Sequence, residues 1–219
     1  MPGIRVTAFQ WVPDFAQGLV RDLRVRWALE EAGLPYEVKL LAQGEQSSPA
    51  HSAMQPFGQV PVYEEDGLVL FESGAIVMHI CERSPALLPR DAAQRARAVS
   101  WMFAALNSVE QHAQNLAFID LFNANEEWAR LRRPGAELMI QRRLQAVAAA
   151  LGDREYLEHR FTAADLLMTT VLRILRHTDR VKNLPTLAAY QARCEARPAF
   201  QRALAAQMAP FVQYAPSAA

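Results

Sequence analysis

Apolar and polar residues interleave from Ile4 to Phe9 and again from Tyr36 to Leu41, with the β-branched content and the short period of strands. Between them the period lengthens. Leu23, Trp27 and Ala28, with Val25, Leu29 and Ala32 beside them, recur at helical spacing. Gly33-Leu34-Pro35 then ends the helix, with glycine at the stop and proline just beyond it. Strand, helix, strand predicts a right-handed crossover joining two parallel strands of one sheet. A polar stretch from Gln43 to Gln55 follows. Val60 to Tyr63 and Leu68 to Phe71 then flank Glu64-Glu65-Asp66-Gly67, a hairpin pattern with glycine at positive φ. A further helix starts with Ser73 as its cap and Ala75, Ile76, His79 and Ile80 as its inner stripe, and it stops at Ser84 before Pro85.

The order β-α-β-(α)-β-β-α over residues 1–84 is that of a thioredoxin-like sandwich. From Asp91 the pattern changes to alanine, leucine and arginine at helical spacing, through to about Met208. The fold class expected is therefore α/β plus all-α: a thioredoxin-like domain (1–84), a proline-bearing linker (85–91) and a helical-bundle domain (92–219). Within the bundle, Phe161-Thr162-Ala163-Ala164-Asp165-Leu166 has the form of a capping box with a hydrophobic staple. The helix it starts, through Leu175, is apolar around most of its circumference, so it is expected at the centre, where its first N–H groups need a strong cap. That role is structural.

Composition adds exclusions. A chain of 219 residues, 51% of them hydrophobic, buries a core and is not a disordered tail or a disulfide-built miniprotein. Lys and Arg number 23 and Asp and Glu number 23, so no net field draws the chain to nucleic acid or an anionic membrane. Cys81 and Cys194 stand far apart, outside any C-x-x-C pair, and read as buried helix thiols. No stretch approaches the roughly 18 apolar residues of a membrane span and no export signal opens the chain, so a cytoplasmic protein is expected.

Four segments, in order, carry a family resemblance: Gln55-Pro56-Phe57-Gly58-Gln59-Val60-Pro61-Val62, Phe71-Glu72-Ser73-Gly74-Ala75-Ile76, the capping box, and Arg197-Pro198-Ala199-Phe200. Together they resemble the cytosolic glutathione S-transferases over nearly the whole chain. The resemblance implies a cis Val60-Pro61 bond, which would turn the Val60 N–H and C=O out of the sheet to pair with the cysteinyl residue of glutathione as an added strand. It places the γ-glutamyl carboxylate on Ser73 at a helix N-terminus and the ammonium on Glu72. Gln59 and His51, with Gln46, lie on the preceding polar connection within reach of the glycine carboxylate.

The thiol must ionise, since at a pKa near 8.5 only about 3% is thiolate at pH 7. The family commonly places Tyr, Ser or Cys just after the first strand or at the start of the first helix. Here Leu19, Val20 and Arg21 fall at those positions, no Tyr precedes Tyr36, and Thr7 is the one hydroxyl upstream. Arg21 is the candidate thiolate partner by chemistry, followed by Gln17, Trp11 and the Val20 and Arg21 backbone N–H groups. The competing reading puts Arg21, Arg24 and Arg26 on an exposed helix face. In the second domain, His112 with Asn107, Glu110 and Gln111 reads as interdomain or dimer contacts. Trp101, Met102, Phe103 and Phe118 read as core, one or two of them walling an apolar pocket.

The expected activity is a transferase of detoxification type, a homodimer with glutathione as co-substrate and no metal, adding its thiolate to an electrophilic, apolar small molecule. Two alternatives stay open: a glutathione-binding scaffold with little turnover, and a glutathione-dependent cis–trans isomerase. Thiol–disulfide reduction ranks below these, for want of a cysteine at the helix start.

Overall fold

The computed structural model describes residues 3–216. They form two compact units: Leu88–Ala196, and the residues up to Leu87 together with those from Arg197 onward.

The first unit runs β1 (Ile4–Phe9), α1 (Asp22–Ala32), β2 (Tyr36–Leu41), a short α2 (Pro49–Ser52), β3 (Tyr63–Glu65), β4 (Leu68–Leu70) and α3 (Ser73–Glu82). The sheet order is β2-β1-β3-β4. β1 and β2 are parallel, with Ile4 opposite Tyr36 and Phe9 opposite Leu41, and β3 is antiparallel to both β1 and β4. Both parallel strands and the glycine stop of α1, Gly33 at φ 67°, fall where the hydrophobic pattern puts them. β3 begins three residues later than expected. Pro61 has no N–H to give, and the Val62 N–H goes to the Thr7 hydroxyl oxygen (2.6 Å) instead of a strand neighbour. The hairpin turns on Asp66 and Gly67, both at positive φ.

The second unit holds α4 (Ala92–Phe103), a π-helical segment (Ala104–Glu110), α5 (Gln111–Phe122), α6 (Glu127–Leu151), α7 (Ala163–Leu172) and α8 (Pro185–Glu195). Every residue of α7 is buried. Its capping box is formed: Asp165 accepts the Thr162 N–H at 2.8 Å, and the Thr162 oxygen caps Ala164 N–H at 3.3 Å. Asp165 also accepts the Leu157 N–H (2.8 Å) and the Tyr190 hydroxyl (3.0 Å), so one carboxylate ties three segments to the central helix. Burial pushes its carboxyl up, and these hydrogen bonds oppose that shift.

The last helix, α9 (Pro198–Gln213), belongs to the first unit, not to the helical domain expected to run through residue 219. Phe200 meets Trp27 edge to face at 4.8 Å, Arg197 holds Glu31 through two bonds (2.6 and 2.8 Å), and Arg202 pairs with Glu30. With α9 on one side and α3 and the sheet also packed on it, α1 is buried from Asp22 through Leu29. The expectation of an exposed arginine face therefore fails for Arg24 and Arg26, which are only 3% and 2% exposed. Each is tolerated inside because it is paired. Arg26 donates to Asp22 at 2.7 Å, and Arg24 to the Ser73 oxygen at 3.2 Å. Cys81 and Cys194 are buried and in no disulfide.

Candidate functional site

Three backbone features of the first unit gather at one end of the sheet. β3 runs antiparallel to β1, so its entry, Val60-Pro61-Val62, lies at the carboxyl end of β1, where the chain leaves toward α1. Arg24, in the first turn of α1, reaches Ser73 at the start of α3, and the Phe57 and Phe71 rings meet at 6.2 Å, joining the loop before Pro61 to the segment before α3.

The Val60-Pro61 peptide is cis. Val60 itself is buried, yet its N–H and C=O make no hydrogen bond among the described residues. A buried backbone pair without partners is uncommon, and it forms an open edge onto which an extended peptide can add.

At α3 the cap is Glu72, not Ser73, a correction to the expected helix start. The first helical bond runs from Ile76 N–H to the Glu72 C=O (3.0 Å), leaving the N–H groups of Ser73, Gly74 and Ala75 without acceptors among the described residues. Ser73 is the first helical residue and faces inward to Arg24. The buried face is accordingly Ser73, Ile76, Val77, Ile80 and Cys81, while Ala75, expected inside, is exposed and His79 half-buried. Glu72 is exposed and held at φ 67°, a left-handed conformation that costs a residue with a Cβ about 1–2 kcal/mol. The buried guanidinium behind Ser73 and the dipole of α3 both make this tip attractive to a carboxylate, while the Glu72 side chain beside it suits a cation.

The start of α1 lacks a side-chain hydroxyl. Arg21 is its N-cap, half-buried, and its side chain makes no capping hydrogen bond. Val20 N–H has no acceptor among the described residues, and the Val20 carbonyl is fixed by Leu23 N–H and by Gln207 Nε2 from α9 (both 3.0 Å). Gln207 also donates to Asp22 at 2.6 Å. Burial pushes the Asp22 carboxyl up, and Arg26 and Gln207 pull it back. Thr7 is fully buried with its oxygen accepting from Val62, so it serves the sheet. Gln17 donates to the Val12 carbonyl and Asp14, and the Trp11 carbonyl accepts from Gln43, so both belong to the loop's own framework.

His51, expected to reach outward to a carboxylate, is turned inward: it is 3% exposed and its Nε2 lies 2.7 Å from the Gln59 carbonyl. Gln59 is exposed. The polar composition of residues 43–55 hid this, because burial of His51 depends on a carbonyl eight residues away.

In the second unit Met102 is buried as expected, but Phe103 (58% exposed) and Phe118 (52%) are not core. Phe118 lies near Phe122 and Trp128, with ring centroids 6.1 and 6.2 Å away. His112 is half-buried and its imidazole is pushed toward the neutral form by burial and by Arg143. Among the described residues no group of three metal-ligating side chains is arranged to hold an ion, and no helix is long and apolar enough to cross a membrane.

Residues 16–82 match the family model for the glutathione S-transferase N-terminal domain. Glutathione S-transferase Z1 of Arabidopsis thaliana is 33% identical over 194 residues, 83% of this chain and 85% of that one. A theta class glutathione S-transferase from Xanthomonas axonopodis pv. citri, solved with glutathione bound, superposes with a TM-score of 0.79 at 28% identity, covering 93% of this chain and 98% of that one. A glutathione transferase family member from Pseudomonas fluorescens, solved with two glutathiones bound, shares the fold with a TM-score of 0.82 at 23% identity, over 93% and 92% of the two chains.

Proposed function

This chain belongs to the cytosolic glutathione S-transferase superfamily, and from that premise we propose that it binds reduced glutathione in the first unit and transfers the thiolate to an electrophilic carbon of an apolar small molecule. The observation that carries the reading is the open backbone pair of Val60, set at the same end of the sheet as the unsatisfied N–H groups of Ser73, Gly74 and Ala75. The cysteinyl residue pairs with Val60 in the manner of an added strand, its C=O accepting from the Val60 N–H. The γ-glutamyl carboxylate accepts hydrogen bonds from the Ser73 hydroxyl and the α3 N–H groups, with Arg24 behind them, and the ammonium donates to Glu72.

Lowering the thiol pKa by about two units requires roughly 2.7 kcal/mol of preferential anion stabilisation. The groups at the start of α1 suited to this are the Arg21 guanidinium, a charged donor, and the Val20 N–H at a helix N-terminus. Attack of the thiolate forms the C–S bond while the leaving group departs with the bonding pair, or, with an addition acceptor, the carbanion takes a proton from water. No metal has a step in this scheme. The exposed Phe57 (66%) and Phe71, packed edge to face, support a two-fold dimer, since a partner subunit would remove that apolar surface from water.

The lack of Ser, Cys or Tyr at the start of α1, and the engagement of Thr7 in the sheet, favour one second reading: a glutathione-binding family member with little turnover. Calorimetry with millimolar reduced glutathione on wild type and Glu72→Ala tests binding, and turnover of a chloronitrobenzene separates the readings. No heat with the wild type rejects both. Heat without turnover across an electrophile panel favours the second. Ultraviolet titration of the bound thiol assigns the donor: an upward shift in Arg21→Ala is expected, and an unchanged value removes Arg21.

A further inference from the structure

We infer that His51 is a positioning residue for glutathione, aiming the Val60 N–H at the ligand by holding the Gln59 carbonyl from behind; this rests on the reading of the site given above. The bond from His51 Nε2 to the Gln59 oxygen is 2.7 Å long. A carbonyl only accepts, so Nε2 is the donor in this bond, while Nδ1 is buried and without a partner. His51 is itself fixed on α2. Its N–H donates to the Ser48 hydroxyl oxygen at 3.3 Å, and its carbonyl accepts from both Met54 and Gln55 N–H groups at 2.9 Å.

The Gln59 C=O and the Val60 N–H belong to one peptide unit, and that unit is trans, so the two groups point in opposite directions. A donor that draws the carbonyl inward therefore turns the N–H outward. Little else in the loop sets this plane. Gly58, at φ 63°, precedes Gln59, and a Cβ there would stand 3.3 Å from the Gln46 carbonyl, so the loop depends on a glycine whose backbone allows the next peptide to rotate. Gln55 holds the Phe57 N–H at 2.6 Å, three peptides upstream. Without the imidazole donor, the Gln59 oxygen loses its partner and the plane is no longer pinned. A ligand must then order it on binding, which lowers affinity.

The test is calorimetric titration of reduced glutathione into wild type, His51→Leu, His51→Gln and His51→Asn, with thermal midpoints from the same preparations. A glutamine amide nitrogen can occupy the place of Nε2, whereas the shorter asparagine cannot reach it. His51→Leu and His51→Asn are expected to bind about tenfold more weakly, with His51→Gln restored to within about threefold of wild type. Equal affinity in all four overturns the proposal, as does failure of His51→Gln to restore binding at a wild-type midpoint. Should His51→Leu not fold, the Gln and Asn pair decides alone, and equal binding by that pair refutes the role. Absence of binding by the wild type instead refutes the site reading, and the proposal falls with it.

Discussion

Replacing Arg24 with methionine isolates the charge buried behind the α3 tip. The guanidinium nitrogen lies 3.2 Å from the Ser73 oxygen. A carboxylate accepting from that hydroxyl would stand about 6 Å from the charge, given ordinary hydrogen-bond lengths. At an effective dielectric of about 20, unit charges at that separation attract by about 3 kcal/mol. The ligand side is partly solvated, since Glu72 beside it is exposed, which reduces the effect to about 1–2 kcal/mol, or about 5- to 30-fold in glutathione Kd. Methionine keeps the apolar stem of the side chain and removes the guanidinium, so α1 retains the stem's packing in its contacts with α3 and α9. Calorimetry at low and high salt, on samples whose folding is checked by circular dichroism, makes the measurement. The wild type should lose more affinity on adding salt than Arg24→Met does, and Arg24→Lys should fall between them. A folded Arg24→Met that binds glutathione within twofold of wild type at low salt would refute the electrostatic argument.

Two further outcomes concern stability. Asp165→Ala strips the acceptor from Leu157 N–H, Thr162 N–H and the Tyr190 hydroxyl in a buried site; at about 1–3 kcal/mol per orphaned donor, less what entering water relieves, urea denaturation should show a loss of about 3–5 kcal/mol, and a loss below 1 would contradict it. Burial alone would raise the Glu65 carboxyl, but hydrogen bonds from Tyr63 and Arg83 outweigh it and hold the group below 4.5. Its contribution is therefore present above pH 4.5 and disappears as pH falls through the lowered folded value, so Glu65→Gln should flatten the pH dependence of the thermal midpoint below pH 4.5; parallel curves would be the adverse result.

What the sequence discloses and what it hides follow from where each residue's partners lie. β1, β2 and the stop at Gly33 depend on neighbours, and the turn at Asp66-Gly67 on its own φ angles; all were legible from periodicity and composition. The Thr162–Asp165 box was legible for the same reason, because its members are three residues apart. Arg24 and Arg26 were not, because what permits their burial is Ser73 and the distant Ala206 and Gln207, together with Asp22, whose own burial comes from packing. A helical pattern also cannot say which body it joins, so the packing of α9 on α1 had no signature short of the Phe200–Trp27 contact itself. Of the site, Val60, Pro61, Glu72 and Ser73 stood out as a motif. The inward turn of His51 did not, because a histidine on a polar connection reads as solvated until its acceptor is known.

The clasp of α9 on α1 sets an order on biosynthesis. As the chain leaves the ribosome, β1 to α3 emerge early, but the surface that shields Trp27, Asp22 and Arg26 follows only after the whole of the second unit has been translated. The nascent sandwich must wait, with part of its oldest helix open to water, until Phe200 and Gln207 have cleared the exit tunnel. A message truncated after Leu87 would thus yield a polypeptide with the Val60-Pro61 and Glu72-Ser73 segments but without the helix that finishes their scaffold.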